Sequence, residues 1–151
     1  MTFVLSSTAF EQGGTIARRN TGEGLDLSPE LTWKNAPEGS KSFALTCVDP
    51  DAPAGDWVHW VAWNIQGSRL PEGILHEDSR LNQGLNSWPK YGYGGPMPPQ
   101  RHGSHRYYFT LYALNVDRLD LDKMTDHHKL MDALKGHILD KIVLMGTYER
   151  S

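Results

Sequence analysis

Four side chains of this 151-residue sequence combine acid, base and hydroxyl groups at the ends of apolar segments. Asp49 ends an alternating apolar row, and His59 follows shortly after it, while His105 and Tyr107 begin a second such row. A carboxylate that accepts a hydrogen bond from a histidine raises the pKa of that histidine, which leaves an imidazolium to face a negative ligand. The sequence therefore predicts a pocket for a small anion such as a phosphate or a carboxylate.

Other groups complete this candidate site. Tyr107 offers a hydroxyl donor, and Trp57 and Pro99 offer apolar walls that limit competing water. Backbone N–H groups around Met97 and before His105 are further expected donors, because glycines nearby let the main chain approach a ligand closely. If a histidine must be protonated, affinity for the anion is expected to fall as the pH rises through the histidine range, near roughly 6.5.

Asp51 has two interpretations. Its carboxylate either contacts the ligand directly or forms the turn by capping nearby N–H groups. Arg106 alternates away from its neighbour His105, so it is expected to be structural or to pair with an acid such as Asp51.

Two other chemistries use some of the same residues. A metal site would combine His102 and His105 with Asp49, but no thiolate accompanies them and the histidine pair lies at a loop-to-strand junction. A hydrolase would use Ser104 or Tyr107 activated by a histidine, but the sequence contains no nucleophile elbow and no recognisable oxyanion hole. We therefore expect a binding site without metal or cofactor rather than an enzyme.

The elements that position these groups follow from hydrophobic periodicity. Two-residue alternation predicts strands ending at residue 49, spanning 57–65 and spanning 105–114, and it places His59 on the same face as Val61 and Trp63. Pro50 and Pro53 lack the N–H that a ladder requires, so the chain must leave the sheet directly after the first of these strands. If the three strands lie in one sheet, the four polar side chains meet at one rim.

The remaining segments support a mainly β fold. A short strand is predicted at residues 31–34, and residues 84–103 form a long loop rich in glycine and proline that aromatic side chains anchor to the body. Thr125 is a plausible N-cap for an amphipathic helix over residues 126–138, which precedes a final strand over residues 141–148. This pattern favours an antiparallel β-sandwich in a single domain over residues 1–151, with one short helix near the C-terminus.

Composition limits the function further. The formal net charge is -3, with 15 basic and 18 acidic residues, so the chain has no broad basic surface for nucleic acid.

The first seven residues do not form a signal peptide, and no stretch is long enough to span a membrane. Cys47 is the single cysteine, which excludes an intrachain disulfide and agrees with a reducing cytoplasm. We expect Cys47 to be a small core residue in a cytoplasmic protein.

Several longer motifs occur in a fixed order along the chain. They are Ser28-Pro29-Glu30-Leu31-Thr32-Trp33, Asp49-Pro50-Asp51-Ala52-Pro53, Trp57-Val58-His59-Trp60, Tyr93-Gly94-Gly95-Pro96-Met97-Pro98-Pro99, Gly103-Ser104-His105-Arg106-Tyr107 and Gly146-Thr147-Tyr148. In these motifs the chain resembles the phosphatidylethanolamine-binding proteins, and most closely their bacterial and archaeal Raf-kinase-inhibitor-like branch of the YbhB/YbcL type. The likeness spans nearly the whole chain.

This resemblance implies a fold, a ligand class and a set of contact residues. It implies a sandwich of the family's type with a small pocket for phosphate-like anions, including phospholipid head groups. The family also contains inhibitors that bind a kinase or a protease, so such a regulatory role is the alternative function. The matched positions and the local arguments together give the expected ligand-binding residues Asp49, Asp51, Trp57, His59, Pro99, His105 and Tyr107.

One departure from the family pattern concerns the end of the chain. Eukaryotic relatives carry a further helix after the last strand, whereas this sequence ends at Ser151, shortly after Tyr148. The resemblance then implies either a wider pocket or a free surface on which two copies of the chain form a homodimer. It also puts Raf-type inhibition in doubt.

Overall fold

The computed structural model describes residues 1–151 and is mainly β. The strands are β1 (Val4–Ser6), β2 (Leu31–Lys34), β3 (Ser42–Asp49), β4 (Trp57–Ile65), β5 (Arg69–Leu70), β6 (Asn82–Gln83), β7 (His105–Leu114) and β8 (Ile138–Tyr148). A single α-helix, α1 (His127–Leu134), precedes the last strand, and a 3-10 turn covers Arg18–Asn20. No helix has both the length and the apolar character needed to cross a bilayer.

The strands form two antiparallel sheets that pack face to face. One sheet has the order β1-β2-β5 and the other has the order β6-β4-β3-β7-β8. The larger core cluster draws side chains from both sheets, among them Leu31 and Trp33 from the smaller and Leu45 and Phe109 from the larger. The expected mainly β sandwich is therefore confirmed, and β3 lies in the middle of the larger sheet between β4 and β7.

The opposite face of the larger sheet is covered by α1. Leu130 and Leu134 of the helix pack there against Val61 and Trp63 of β4. Because β3, β4 and β7 contribute residues to both clusters, these strands are buried on both faces, which explains their nearly continuous apolar sequence.

A register shift in β4 changes which way His59 faces. Cys47 pairs with Trp60, but the next residue, Val48, pairs with Val58, so His59 is left without a directly opposed residue. This is a β-bulge, which re-aims a side chain by inserting one residue into the alternation. The sequence prediction that His59 shares a face with Val61 was wrong: Val58 and Val61 both belong to the helix-side cluster, whereas the His59 ring contacts Tyr107 of the inter-sheet cluster.

The helix is shorter than its periodicity suggested. Asp126, not Thr125, is the N-cap, and its carboxylate accepts a hydrogen bond from the backbone N–H of Lys129 at 2.9 Å. The helix ends at Leu134 because Gly136 adopts a positive φ of 82°, which reverses the chain. Ile138 consequently begins β8 instead of ending the helix.

Candidate functional site

The candidate site lies where three neighbouring strands of the larger sheet end together. Asp49 is the last residue of β3, His105 is the first residue of β7, and His59 lies near the start of β4. All three side chains are buried, although each belongs to a residue type that usually stays in contact with water. The antiparallel order β4-β3-β7 brings these residues together from distant parts of the sequence.

A chain of short hydrogen bonds runs through the acid and two histidines. The Oδ2 atom of Asp49 lies 2.6 Å from Nδ1 of His105, and Nε2 of His105 lies 2.6 Å from Nδ1 of His102. The other carboxylate oxygen of Asp49, Oδ1, accepts from the backbone N–H of Asp51 at 2.7 Å. Both oxygens of Asp49 are thus bonded to donors, which reduces the repulsion that this carboxylate would exert on an anion.

His59 is held in a single orientation by its neighbours. Its Nδ1 atom lies 2.7 Å from the carbonyl oxygen of Gly94, so Nδ1 must donate a hydrogen to that carbonyl. The ring makes edge-to-face contacts with Trp88 and Tyr107, with centroids 5.0 and 5.1 Å apart. Burial lowers the pKa of His59, which favours the neutral ring.

Tyr107 supplies a hydroxyl that the rest of the protein does not use. The residue is fully buried, and its hydroxyl makes no hydrogen bond of ordinary distance and angle to a protein atom, although the Asp49 carboxylate lies close enough to interact with it. Burial, followed by the nearby negative charge of Asp49, raises the pKa of Tyr107 well above its ordinary value. The phenol therefore stays protonated and offers a hydrogen-bond donor at neutral pH.

These side chains line one cavity of about 330 Å³, a volume at the small end of the range for ligand pockets. Six of the seven predicted ligand-binding residues line it, all except Asp51. The complete lining is Asp49, Ala52, Pro53, Ala54, Trp57, His59, Trp88, Met97, Pro98, Pro99, His105 and Tyr107. The mixture of apolar walls and a few converging polar groups is typical of a site for a small ligand.

Asp51 lies outside this lining and has a different partner. Its carboxylate forms a two-pronged contact with the guanidinium of Arg106, with distances of 2.9 and 2.8 Å, and also accepts from the backbone N–H of Arg106 at 2.9 Å. The side-chain hydrogen bond from Arg106 is the main cause that lowers the pKa of Asp51 to about 2. The expected pairing of Arg106 with Asp51 is present, and Asp51 shapes the turn rather than the cavity.

The wall opposite the strands comes from the loop of residues 84–104. The N–H of Gly94 donates to the carbonyl of His59 at 2.9 Å, and the N–H of Gly95 donates to Oδ1 of Asp26 at 2.7 Å. These two amides are therefore used by the protein itself. A Cβ at Gly95 would lie 2.5 Å from the carbonyl oxygen of Asn20, so no larger residue fits this contact.

Sequence reasoning missed part of the lining and one contact. Trp88 was interpreted only as a loop anchor, Met97 was considered only for the backbone N–H groups around it, and Ala54 has no signal beyond its position in a turn. His102 was considered only as a metal ligand, whereas its ring nitrogen contacts that of His105 directly. No group of three or more His, Cys, Asp or Glu side chains has the arrangement of a metal site. Ser104, which the sequence offered besides Tyr107 as a hydrolase nucleophile, is exposed and does not line the cavity.

Comparison with known proteins identifies the family. The family model described as phosphatidylethanolamine-binding protein matches residues 6–149. A protein of Aquifex aeolicus named UPF0098 protein is 40% identical over 148 residues, which is 95% of this chain and 86% of that protein.

Two crystal structures share the fold closely. A phosphatidylethanolamine-binding protein homolog from Chlamydia trachomatis is 36% identical, with a TM-score of 0.91 over 99% of both chains. E. coli YbcL, described as a member of the mammalian PEBP family, is 29% identical, with a TM-score of 0.92 over 100% of both chains. The family match and these structures confirm the resemblance seen in the motifs: the chain belongs to the phosphatidylethanolamine-binding protein family.

Proposed function

We propose that this protein binds small phosphate-like anions, including phosphorylated head groups, in the cavity at the end of β3, β4 and β7. The observation that carries this proposal is the hydroxyl of Tyr107, a buried donor without a partner in the protein, which lies in a cavity lined by two histidines. A buried donor that lacks a partner costs free energy, and a ligand that accepts its hydrogen bond recovers that cost.

The polar groups of the cavity suit an oxyanion that has several acceptor oxygens. Tyr107 is a hydrogen-bond donor at neutral pH, and the 2.6 Å contact with His105 reduces the repulsion between the Asp49 carboxylate and an anion. His59 donates from Nδ1 to Gly94, so its other ring nitrogen can accept a hydrogen from a protonated ligand oxygen. A phosphate ester presents both kinds of oxygen, whereas a simple apolar ligand would leave the polar groups unpaired.

Volume also restricts the ligand. A cavity of about 330 Å³ accommodates a head group but not a folded peptide or a long acyl chain. Trp57 and Pro99 on its walls exclude water from one side of the bound group, which strengthens the hydrogen bonds that the anion makes.

Calorimetric titration tests this function. Wild-type protein is expected to bind dimethyl phosphate or phosphoethanolamine, and His105→Ala is expected to weaken binding by on the order of tenfold or more, because Asp49 is then left without its main partner. His128→Ala, which alters an exposed histidine of α1, is the matched control and should bind as the wild type does. A wild-type protein that binds neither ligand, or a His105→Ala protein that is folded and binds normally, would overturn the proposal.

The proposal describes a binding protein and not an enzyme, and it places the protein in the cytoplasm. Incubation with phosphate esters and carboxylic esters should release no product, and a turnover that Ser104→Ala abolishes would contradict it. Inhibition of a kinase or protease and formation of a homodimer stay predictions of the family resemblance.

A further inference from the structure

We propose that His102 is the site at which the cavity takes up one proton when an anion binds, and that it shares this proton with His105. The inference deepens the proposed function and rests on it. It assigns a role to a residue that does not line the cavity and contacts it only through another histidine.

The geometry connects solvent to the cavity through three groups. His102 is exposed, His105 is buried, and Asp49 is buried beyond it, with 2.6 Å between the bonded atoms at each of the two contacts. The rings of His102 and His105 also lie edge to face, with centroids 4.8 Å apart. Both ring nitrogens of His105 are therefore engaged, and a proton reaching this buried ring along the chain of hydrogen bonds arrives through His102.

The two hydrogen-bonded contacts are compatible with two protonation states of the cluster of Asp49, His105 and His102. With one hydrogen in each contact and a second hydrogen on the outer nitrogen of His102, the two rings share one positive charge, and the three groups together are neutral. If the outer nitrogen loses its hydrogen, both contacts persist, but the three groups together carry one negative charge from Asp49. An anion in the adjacent cavity repels the second state and not the first, so its binding favours uptake of a proton.

The other ionisable groups that face this chain cannot take that role. Burial raises the pKa of Cys47 and of Tyr107, so both stay neutral and release no charge. Burial lowers the pKa of His59, which disfavours a proton there before the ligand arrives.

The remaining nearby charges are either paired or permanent, as in Arg101, which stays positive throughout the histidine range. Asp51 lies close enough to His105 to interact with it electrostatically, but Arg106 binds the Asp51 carboxylate directly. Arg150, at the other side of the loop that carries His102, donates to the carbonyl of Pro98 and faces Glu23 at 3.7 Å. His102 is thus the exposed group through which the charge of this cluster can change.

The test compares the pH dependence of binding in three proteins. The probe is dimethyl phosphate, whose single charge does not change between mildly acidic and mildly basic pH, so that any proton taken up belongs to the protein. For the wild type, uptake of one proton predicts that Kd rises about tenfold per pH unit on the basic side of the histidine range. Titration in two buffers of different ionisation enthalpy should then give about one proton bound per anion at that pH.

The decisive variant is His102→Asn, because an asparagine amide can keep the hydrogen bond to His105 but cannot be protonated. It should bind the probe more weakly than the wild type at pH 6 and take up no proton, and this difference should shrink by about tenfold per pH unit on the basic side, because only the wild-type affinity falls there. His128→Asn is the matched control for loss of an exposed histidine and should keep the wild-type profile.

Two results separate this inference from the proposed function. If His102→Asn binds the probe and keeps the wild-type slope and proton uptake, the proton belongs to another group and the inference is wrong while the binding function stands. If the wild type binds neither dimethyl phosphate nor phosphoethanolamine, the proposed function itself is wrong. Unfolding curves for each variant establish that the differences do not come from loss of the fold.

Discussion

Replacing Tyr107 by phenylalanine removes one oxygen atom and should change binding and stability in opposite directions. The hydroxyl is buried and has no partner in the protein, so its removal should leave the free energy of unfolding unchanged or raise it by up to about 1 kcal/mol. A hydrogen bond to a charged group contributes about 1.5–3 kcal/mol, which corresponds to a loss of about 10- to 150-fold in affinity for dimethyl phosphate. Urea unfolding and calorimetric titration measure the two quantities separately.

Tyr93→Phe is the matched control for this substitution. The Tyr93 hydroxyl is also buried, but it donates to the carbonyl oxygen of Asn20 at 2.7 Å, and Tyr93 does not line the cavity. Its removal should lower the free energy of unfolding by about 1 kcal/mol or more and leave binding unchanged. If Tyr107→Phe behaves in the same way, losing stability and keeping affinity, then its hydroxyl serves the fold and the reasoning about the cavity fails.

Three further predictions concern the frame around the cavity. Asp51→Asn breaks the pair with Arg106, whose guanidinium is half exposed, so the free energy of unfolding should fall only slightly, and a large loss in urea titration would show that the turn depends on this pair. Gly95→Ala places a methyl group 2.5 Å from the carbonyl oxygen of Asn20, so the free energy of unfolding should fall; an unchanged urea-unfolding curve would contradict the close contact. Because the pKa of His59 is lowered in the folded state, the unfolded chain binds more protons than the folded chain below about pH 6.5. The free energy of unfolding without ligand should therefore fall from pH 7 to pH 5, and this fall should be smaller in His59→Asn.

The sequence predicted the strands that carry the site because their patterns are strong. The predicted segments 57–65 and 105–114 coincide with β4 and β7, since alternating apolar residues between turn-forming residues have one favourable arrangement. Pro50 likewise marks the end of β3 at Asp49, where a ladder donor is missing.

The direction of His59 and the length of the helix were not predictable in the same way. A bulge depends on how two strands register against each other, and the residues of β4 alone do not encode the shift at Val48. Ile138 continues the helical spacing of Leu130 and Leu134, but the backbone turn at Gly136 prevails over that spacing and moves the residue into β8.

The loop that forms one wall of the cavity was harder to predict, because irregular backbone has no hydrophobic periodicity. Residues 84–103 were correctly predicted as a long loop, but the contact between Gly95 and Asp26 joins two segments that both appeared featureless. Family resemblance supplied the site residues, while the structure supplied the chain of contacts that ends at His102.

Strand residues form the polar base of the cavity, and loop residues form its boundary. Asp49, His59 and His105 are fixed by the central sheet, whereas Ala54 and Met97 belong to loops, which generally tolerate change better than strands do. Selection or engineering can therefore alter the boundary of the cavity without touching the polar groups at its base. Relatives built on this frame can vary their loops while keeping the same strand residues at the base of the cavity.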